Sequence, residues 1–374
     1  MGVRIVIAGG GSGGHTSPGL AVAAELAARG VECVWIGSHH GVEARRAPER
    51  GIPFRAIPTG KLRGYWSWQN VTDLGLNVPA GIWRAQRLLG GLRPDAVFAT
   101  GGFVAVPVVL AAALRRVPVV IHEQTAAPGL ASRVTARFAQ CVALTFPESS
   151  ASFSTARCVV TGNPLREELR DGSRERALER FALDAATPIV YVTGGALGAH
   201  RLNRVVGDAL PVLLRAAQII HQCGDNPRTG DLPWLAVEQS ALPPGLRDRY
   251  RIQPYVGDEL ADVYAAAQLV VGRAGAGTVN ECCQLALPAL YVPLPGARGD
   301  EQTANARLVE AAGGCAVLPE AMLTGERLAA TIRDLLASPQ RLKEMGERAR
   351  TLARPDAARQ IAELVVQIAR GGRP

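Results

Sequence analysis

The sequence predicts an α/β protein with two doubly wound domains, each built on a parallel sheet. Short apolar runs alternate with helical segments along the 374 residues, and these runs are continuously apolar, as expected for strands covered on both faces. A glycine-rich loop follows the first strand of each half, at residues 9–14 and 194–198. The chain length also favours two domains over one.

The first half opens with the apolar run 3–8, followed by a glycine loop and a helical stretch at 18–29. The further strands predicted in this half are 31–37, 96–99, 117–122 and 142–144. Parallel strands need long crossover connections, and the segments between these runs are long enough for helices.

The pattern breaks at Gly162-Asn163-Pro164 and through the charged stretch 166–180, and then restarts. A helix is predicted from Asn203, and the predicted strands are 189–193, 218–222, 250–253, 269–272 and 289–292. We therefore assign one domain to residues 1–163 and a second to 164–340. The helical stretch 341–374 is expected to pack back across the hinge, and a ligand is expected in a cleft beyond the carboxyl ends of the strands.

Composition and charge narrow the class of protein. Hydrophobic residues make up 48% and charged residues 20%, a globular composition without a run of about 20 apolar residues that could span a bilayer. The first residues lack the apolar core of a signal peptide, which predicts a cytoplasmic protein. The seven cysteines have no metal-ligand spacing and are expected to be reduced, so no metal site is predicted. The net charge of +8 favours anionic partners, but no nucleic-acid motif accompanies it.

The first glycine loop, Gly9-Gly10-Gly11-Ser12-Gly13-Gly14, contains a G-x-G-x-x-G pattern between a strand and a helix. Glycines there allow a phosphate to approach the backbone. A dinucleotide site would also need an acidic residue at the end of the second strand, where Glu32 comes too early. His15 follows the loop, and the positive end of the helix dipole favours a neutral imidazole that can accept a proton. A capping or packing role is the alternative for His15.

Three more glycine loops follow predicted strands: Thr100-Gly101-Gly102-Phe103, residues 194–199 and residues 272–278. The last of them opens a helix that continues through Glu281. Any one such loop is as easily a simple turn, but four of them indicate a protein that handles phosphates and sugars.

Five segments, taken together, resemble the UDP-N-acetylglucosamine–lipid I transferase family of peptidoglycan synthesis. They are residues 10–20, His122-Glu123-Gln124, residues 161–166, residues 275–281 and residues 300–306, in that order. The resemblance implies the GT-B fold, with an acceptor- and membrane-side N-terminal domain and a UDP-sugar-binding C-terminal domain. It also implies an inverting transfer of N-acetylglucosamine to the 4-hydroxyl of MurNAc in undecaprenyl-pyrophosphoryl-MurNAc-pentapeptide, which converts lipid I to lipid II.

The resemblance also implies roles for individual residues. The helix at 275–281 would face the diphosphate, and Glu281 would accept hydrogen bonds from both ribose hydroxyls. Val256 would contact uracil through its backbone, Arg166 would lie near the diphosphate, and Gln302 would hold sugar hydroxyls. The expected donor-binding residues are Ser12, Gly13, Gly14, Thr125, Arg166, Ala196, Val256, Ala276, Gly277, Thr278, Val279, Asn280, Glu281 and Gln302. Gly101, Gly102 and Phe103 are expected to form acceptor or phosphate loops.

A base must take the proton from the acceptor hydroxyl. His15 is the predicted base, with Glu123 as a second candidate catalytic residue and His122 as a further alternative. No tightly bound cofactor is expected, and a divalent ion would act on the substrate.

The chain departs from the family pattern at several positions. Thr125 stands where Asn is usual, Ala196-Leu197 replaces Ser-Gln, and Glu301 stands where His is frequent. These departures keep open a related GT-B transferase with another UDP-sugar, or with another lipid or natural-product acceptor. A non-catalytic nucleotide-sugar-binding protein is a third alternative, which the joint presence of His15, Arg166, Glu281 and Gln302 disfavours.

Aromatic and cationic residues are interleaved between positions 61 and 93. Such a mixture suits a membrane interface, with aromatic rings at headgroup depth and Arg on phosphates. We expect a peripheral protein on the cytoplasmic face of the plasma membrane. The alternative is that Trp83, Leu88 and Leu89 pack on the sheet. The predicted membrane patch consists of Trp66, Trp68, Ile82, Trp83, Arg84 and Arg87.

Overall fold

The computed structural model describes residues 2–60, 76–153, 156–296 and 299–372. The chain divides into two compact units. The N-terminal unit comprises Met1–Arg166 and Arg354–Pro374, and the C-terminal unit comprises Glu167–Ala353. The chain thus returns to the N-terminal unit for its last helix.

The described part of the N-terminal unit holds one sheet of seven parallel strands in the order β3-β2-β1-β4-β5-β6-β7. The order runs outward from β1 in both directions, as in doubly wound folds. The strands are β1 (Arg4–Gly9), β2 (Glu32–Ser38), β3 (Phe54–Ile57), β4 (Ala96–Gly101), β5 (Val119–Glu123), β6 (Cys141–Leu144) and β7 (Arg157–Val160). The helices that follow them are α1 (Gly13–Ala28), α2 (Glu43–Glu49), α3 (Val78–Leu92), α4 (Ala105–Leu114) and α5 (Leu130–Ala136).

The described part of the C-terminal unit repeats this plan with six parallel strands in the order β10-β9-β8-β11-β12-β13. The strands are β8 (Ile189–Thr193), β9 (Gln218–Gln222), β10 (Tyr250–Gln253), β11 (Leu269–Gly272), β12 (Ala289–Tyr291) and β13 (Cys315–Val317). The helices are α6 (Arg174–Phe181), α7 (His200–Ala216), α8 (Asp231–Ala241), α9 (Pro244–Arg247), α10 (Leu260–Ala266), α11 (Ala276–Gln284), α12 (Glu301–Ala311), α13 (Gly325–Leu336) and α14 (Pro339–Arg350). The last helix of the chain, α15 (Ala357–Ala369), belongs to the N-terminal unit.

Both faces of the N-terminal sheet are covered, which is why its strands are continuously apolar. Ile5 and Ile7 of β1 pack in one cluster with residues of α1 and α15. Val6 and Ala8, on the opposite face, pack in a second cluster with residues of α3 and α4. All four side chains are fully buried. The two parallel, doubly wound units confirm the predicted fold class.

Two helices begin earlier than the sequence predicts. α1 starts at Gly13 and contains Pro18 in its second turn, and α7 starts at His200 rather than at Asn203. Proline lacks an N–H, so Pro18 forgoes one helical hydrogen bond without ending the helix. No helix within the described ranges is both long and apolar enough to cross a membrane.

Candidate active site

His15 lies in the first turn of α1, just beyond the carboxyl end of β1. Its Nδ1 is 3.1 Å from the carbonyl oxygen of Thr100 and 3.1 Å from Nε2 of Gln124. The Gln124 amide also donates to the Thr100 carbonyl, at 3.2 Å. Three segments that are distant in sequence therefore meet at one imidazole.

The second glycine loop packs against both His15 and the first glycine loop. Gly101 and Gly102 have φ angles of 94° and 76°, a region that favours glycine. A Cβ on either would lie 3.2 Å from the His15 ring, and a Cβ on Gly102 would also lie 2.8 Å from the Gly10 carbonyl oxygen. Phe103 covers the first loop so closely that a Cβ on Gly11 would be 2.7 Å from its ring.

Ser12 begins α1 through its backbone. Its carbonyl accepts the N–H of Thr16 at 3.2 Å and the Thr16 hydroxyl at 2.9 Å. Ser12, Gly13 and Gly14 are exposed. Because the first N–H groups of a helix have no partner within the helix, this end presents donors and the positive end of the dipole.

Glu43 is a residue of this region that the sequence analysis missed. It is fully buried at the start of α2, and its Oε2 accepts the N–H of Gly11 at 2.8 Å. Its Oε1 accepts the N–H of Ser38 at 2.9 Å and the Ser38 hydroxyl at 2.6 Å. The only sequence signal is the cluster of glycines around it, at 37 and 41.

His122 and Glu123, at the end of β5, are both buried, with exposed fractions of 1% and 4%. Burial lowers the pKa of His122 to about 4, against a smaller opposing effect of the Gly162 carbonyl, which lies 3.1 Å from its Nε2. Oε1 of Glu123 accepts the backbone N–H of Thr125 at 2.9 Å and its hydroxyl at 2.7 Å. Thr125 therefore turns its hydroxyl toward Glu123.

In the C-terminal unit, Glu281 lies on α11 and accepts the Tyr264 hydroxyl at 2.8 Å through Oε2. Tyr264 is 3% exposed and packs edge-on against Tyr191, with 5.7 Å between ring centroids. Burial raises the pKa of Tyr264 well above its usual range, so this side chain remains a neutral donor.

The start of α11 is open. Gly275 is the N-cap, and no atom lies within 4 Å of a Cβ built on Gly275 or Gly277. Thr278 is partly exposed, whereas Val279 and Asn280 are buried, and the Asn280 amide donates to the Ala276 carbonyl at 2.7 Å. This helix end has space for a ligand to approach its backbone N–H groups.

The side chain of Gln222 forms hydrogen bonds to Val256 and to Thr193, and Thr193 in turn bonds the third glycine loop. Gln222 Oε1 accepts the N–H of Val256 at 2.9 Å, and its Nε2 donates to the Thr193 hydroxyl at 3.3 Å. The same hydroxyl accepts the N–H of Gly195 at 3.0 Å. Because the Val256 N–H is engaged, the backbone contact to uracil that the sequence predicts would have to use the Val256 carbonyl group. The side chain of Ala196, in the loop itself, is exposed.

Gln302 and Arg166 lie in different units. Gln302 is in the first turn of α12, where its Oε1 accepts the N–H of Leu294 at 3.0 Å. Arg166 is the last residue of the first N-terminal-unit segment and is partly buried. The predicted catalytic and donor-binding residues are thus divided between the two units.

Comparison with known proteins identifies the family. The glycosyltransferase family 28 N-terminal domain matches residues 5–144, and the family's C-terminal domain matches residues 189–361. The chain belongs to glycosyltransferase family 28. It is accordingly a glycosyltransferase.

Relatives of this family 28 chain match it over nearly its whole length. A Geobacillus thermodenitrificans protein named UDP-N-acetylglucosamine–N-acetylmuramyl-(pentapeptide) pyrophosphoryl-undecaprenol N-acetylglucosamine transferase is 40% identical over 92% of this chain and 94% of its own. A Halothermothrix orenii protein of the same name is 36% identical over 99% of this chain and 100% of its own. Among solved structures, Acinetobacter baumannii MurG superposes with a TM-score of 0.74 at 30% identity, covering 98% of this chain and 99% of that one.

The predicted membrane patch of the family 28 chain falls partly outside the described residues, since Trp66 and Trp68 lie there. On α3, Trp83 is 60% exposed and the Arg87 guanidinium lies 4.8 Å from its ring centroid. Ile82 is partly buried, and Arg84 donates to the Ala56 carbonyl at 3.2 Å. Leu88 and Leu89 pack with the core on the opposite side of the helix, as the alternative interpretation expected, whereas Trp83 does not.

Among the described residues, no group of three or more His, Cys, Asp or Glu side chains could hold a metal ion. The seven cysteines are free thiols. Burial raises the pKa of Cys283 to about 12 and that of Cys223 to about 11, so these thiols are neutral and poorly nucleophilic.

Proposed function

We propose that this protein transfers N-acetylglucosamine from UDP-N-acetylglucosamine to the 4-hydroxyl of MurNAc in undecaprenyl-pyrophosphoryl-MurNAc-pentapeptide, converting lipid I to lipid II. The observation that carries the proposal is the 40% identity, over 92% of the chain, to a relative named for this transfer. The arrangement of side chains in both units supports it.

The C-terminal unit would bind the donor. Glu281, held by Tyr264 at 2.8 Å, would accept hydrogen bonds from the ribose hydroxyls. The open helix end at Gly275, Ala276 and Gly277 suits a diphosphate, because helix N-termini favour anions. Gln302 would meet the sugar hydroxyls with its amide nitrogen, since its Oε1 accepts from Leu294. Arg166 would stabilise the charge that the leaving UDP acquires.

His15 is the best base for the acceptor hydroxyl. His122 is 1% exposed, and its Nε2 lies close to the Gly162 carbonyl. Glu123 is 4% exposed and is covered by Thr125. An acceptor therefore has poor access to both side chains. In the tautomer that donates from Nδ1 to the Thr100 carbonyl, the lone pair of His15 is on Nε2. There it would take the proton while the acceptor oxygen attacks C1 of the sugar and UDP leaves with the C1–O electron pair.

The proposal assigns no step to a metal ion or a tightly bound cofactor. We propose a cytoplasmic enzyme that binds the inner face of the plasma membrane peripherally. Exposed Trp83 with Arg87 stacked on it supports this location, since Trp and Arg favour the headgroup region.

One observation favours a second candidate, a related transferase that uses another UDP-sugar. The Thr125 hydroxyl lies 2.7 Å from Glu123 and 2.9 Å from the Ala127 carbonyl oxygen, so it offers a sugar less than the usual amide would. Ala196 offers no hydroxyl at all.

The test is to titrate UDP-N-acetylglucosamine, UDP-glucose and UDP-N-acetylgalactosamine by calorimetry and to assay each with lipid I. Selective binding and turnover of the first supports the proposal. Tight but unselective UDP-sugar binding, with turnover of another sugar, would favour the second candidate. His15→Ala is expected to keep UDP affinity within about twofold and to lose turnover by about 10²-fold or more.

A further inference from the structure

Glu43 is a fully buried carboxylate that joins three segments of the N-terminal unit. It accepts from Gly11 in the first glycine loop and from the N–H and hydroxyl of Ser38 at the end of β2. It also occupies the first turn of α2, where the helix dipole favours negative charge. A carboxylate removed from water needs such donors, and this one has them on both oxygens.

Three glycines pack directly against the Glu43 side chain. A Cβ on Gly10 would lie 2.0 Å from its Cδ, a Cβ on Gly41 2.1 Å from its Oε2, and a Cβ on Gly37 2.6 Å from its Cγ. Glycines from three separate positions therefore enclose one carboxylate. This enclosure accounts for the glycine at position 10 without a bound phosphate. The N–H of Gly11 already has an anionic partner in Glu43.

Two close approaches of the backbone link the first glycine loop to His15. The carbonyl oxygen of Gly10, next to the bonded N–H of Gly11, approaches within 2.8 Å of the Cβ position of Gly102. Gly102 in turn approaches the His15 ring, with 3.2 Å between its Cβ position and that ring. A displacement of the first loop therefore reaches the imidazole through a single intervening residue.

We propose that Glu43 is a positioning residue for glycosyl transfer, which fixes the first glycine loop and, through Gly10 and Gly102, the orientation of the His15 imidazole. The expected effect on kcat rests on the proposed function. The effect of Glu43 on the orientation of His15 does not. We therefore assign Gly10 and the backbone N–H of Gly11 to holding this carboxylate rather than to binding a diphosphate.

The test uses Glu43→Gln, which keeps the shape of the side chain but replaces one acceptor oxygen with a donor. We expect kcat for transfer to lipid I to fall about 10- to 100-fold, while the calorimetric Kd for UDP-N-acetylglucosamine stays within about twofold. The matched control is Glu25→Gln, which removes a carboxylate on α1 that pairs with Arg29 at the surface, and it should leave kcat within about twofold. If Glu43 acts through His15, Glu43→Gln has no further effect on kcat in a His15→Ala background.

A second readout does not depend on activity. In protein labelled with [13C]histidine, with the signal assigned through His15→Ala, Glu43→Gln should move the His15 imidazole resonance and leave in place that of His200, which is exposed and belongs to the C-terminal unit. If Glu43→Gln does not fold, Ser38→Ala removes only the 2.6 Å hydroxyl bond and should shift the same resonance by a smaller amount.

An unmoved His15 resonance in a folded variant overturns the inference. A kcat that drops equally with and without His15 also overturns it, because the effect would then be structural. If the wild type transfers no N-acetylglucosamine but the resonance moves, the proposed function fails and the positioning role of Glu43 stands.

Discussion

The Tyr264 hydroxyl donates to Oε2 of Glu281 across 2.8 Å and joins α10 to α11. Tyr264 is buried, so the bond fixes the Glu281 carboxylate on a rigid support. If Glu281 accepts from ribose hydroxyls as proposed, the site gains affinity because the carboxylate is held in one rotamer before the ligand binds.

Tyr264→Phe should therefore weaken UDP binding without affecting the chemical step. Loss of the hydrogen bond that holds Glu281 should reduce the free energy of UDP binding by about 0.5–1.5 kcal/mol, which raises Kd about 2- to 10-fold. Calorimetry with UDP measures it, and kcat at saturating donor should be unchanged. In a Glu281→Ala background the Tyr264→Phe change should have little further effect; equal losses in both backgrounds would contradict a role through Glu281.

Gly102→Ala tests the contact between the two glycine loops of the N-terminal unit. Alanine at a φ of 76° is strained by about 1–2 kcal/mol, and its Cβ would also lie 2.8 Å from the Gly10 carbonyl oxygen and 3.2 Å from His15. A displacement of about 1 Å at a reacting group can cost about 10²-fold, so we expect turnover to fall by that order.

Gly30→Ala is the matched control for Gly102→Ala. Gly30 has a similar φ of 70°, but no atom lies within 4 Å of its Cβ position. It should lose about 1–2 kcal/mol of stability in urea unfolding and keep turnover within about twofold. Similar kinetic losses in the two variants would mean that strain, and not the loop contact, limits transfer.

The sequence predicted the long buried strands well because two-sided burial leaves continuous apolar runs, as in β1 and β8. It did not predict β3, β7 or β13, which are edge strands of only three or four residues. Short edge strands are half-covered, and a residue such as Arg55 in β3 interrupts the apolar pattern.

The candidate site could be predicted only where its residues lie in local motifs. His15 and Glu281 follow glycine loops, and that local signal marks them. Glu43 and Tyr264 have no local motif, because their roles come from contacts across 32 and 17 positions of the chain. Such pairings are set by how the helices pack on the sheet, which the periodicity of a single sequence does not specify.

His122 should make the stability of the N-terminal unit depend on pH. Burial lowers its pKa from 6.5 to about 4, so the folded protein binds this proton more weakly than the unfolded chain. The stabilisation is complete above about pH 6.5 and is lost as the pH falls toward 4. Between pH 8 and pH 5 the loss is about 2 kcal/mol.

His122→Gln removes this titration and should flatten the dependence between pH 8 and pH 5. The measurement is urea unfolding at pH 8 and at pH 5, with hydrogen exchange of the β5 amides as the probe. It gives the difference in the free energy of unfolding of the N-terminal unit between the two pH values. His39→Gln, at an exposed position, is the control and should leave the pH dependence unchanged. A wild-type loss that persists in full in His122→Gln would assign it to other groups, among them buried His221, whose pKa burial lowers to about 3.

Trp83 and Arg87 should contribute to binding of anionic membranes. Trp83 is 60% exposed although it is large and apolar, and the Arg87 guanidinium is stacked 4.8 Å from its ring centroid, so both can reach headgroups from one face of α3. Each Arg near an anionic surface contributes about 1 kcal/mol, so Arg87→Ala should weaken binding about fivefold. Trp83→Ala should weaken it at least as much, because it also removes the support of Arg87.

Sedimentation with phosphatidylglycerol vesicles measures both variants, with phosphatidylcholine vesicles showing the contribution of lipid charge. Val237→Ala, which trims an apolar side chain 64% exposed in the C-terminal unit, is the control and should bind like the wild type. If Trp83→Ala also binds like the wild type, the membrane contact does not involve this face of α3, and the location proposed for the enzyme loses its structural support.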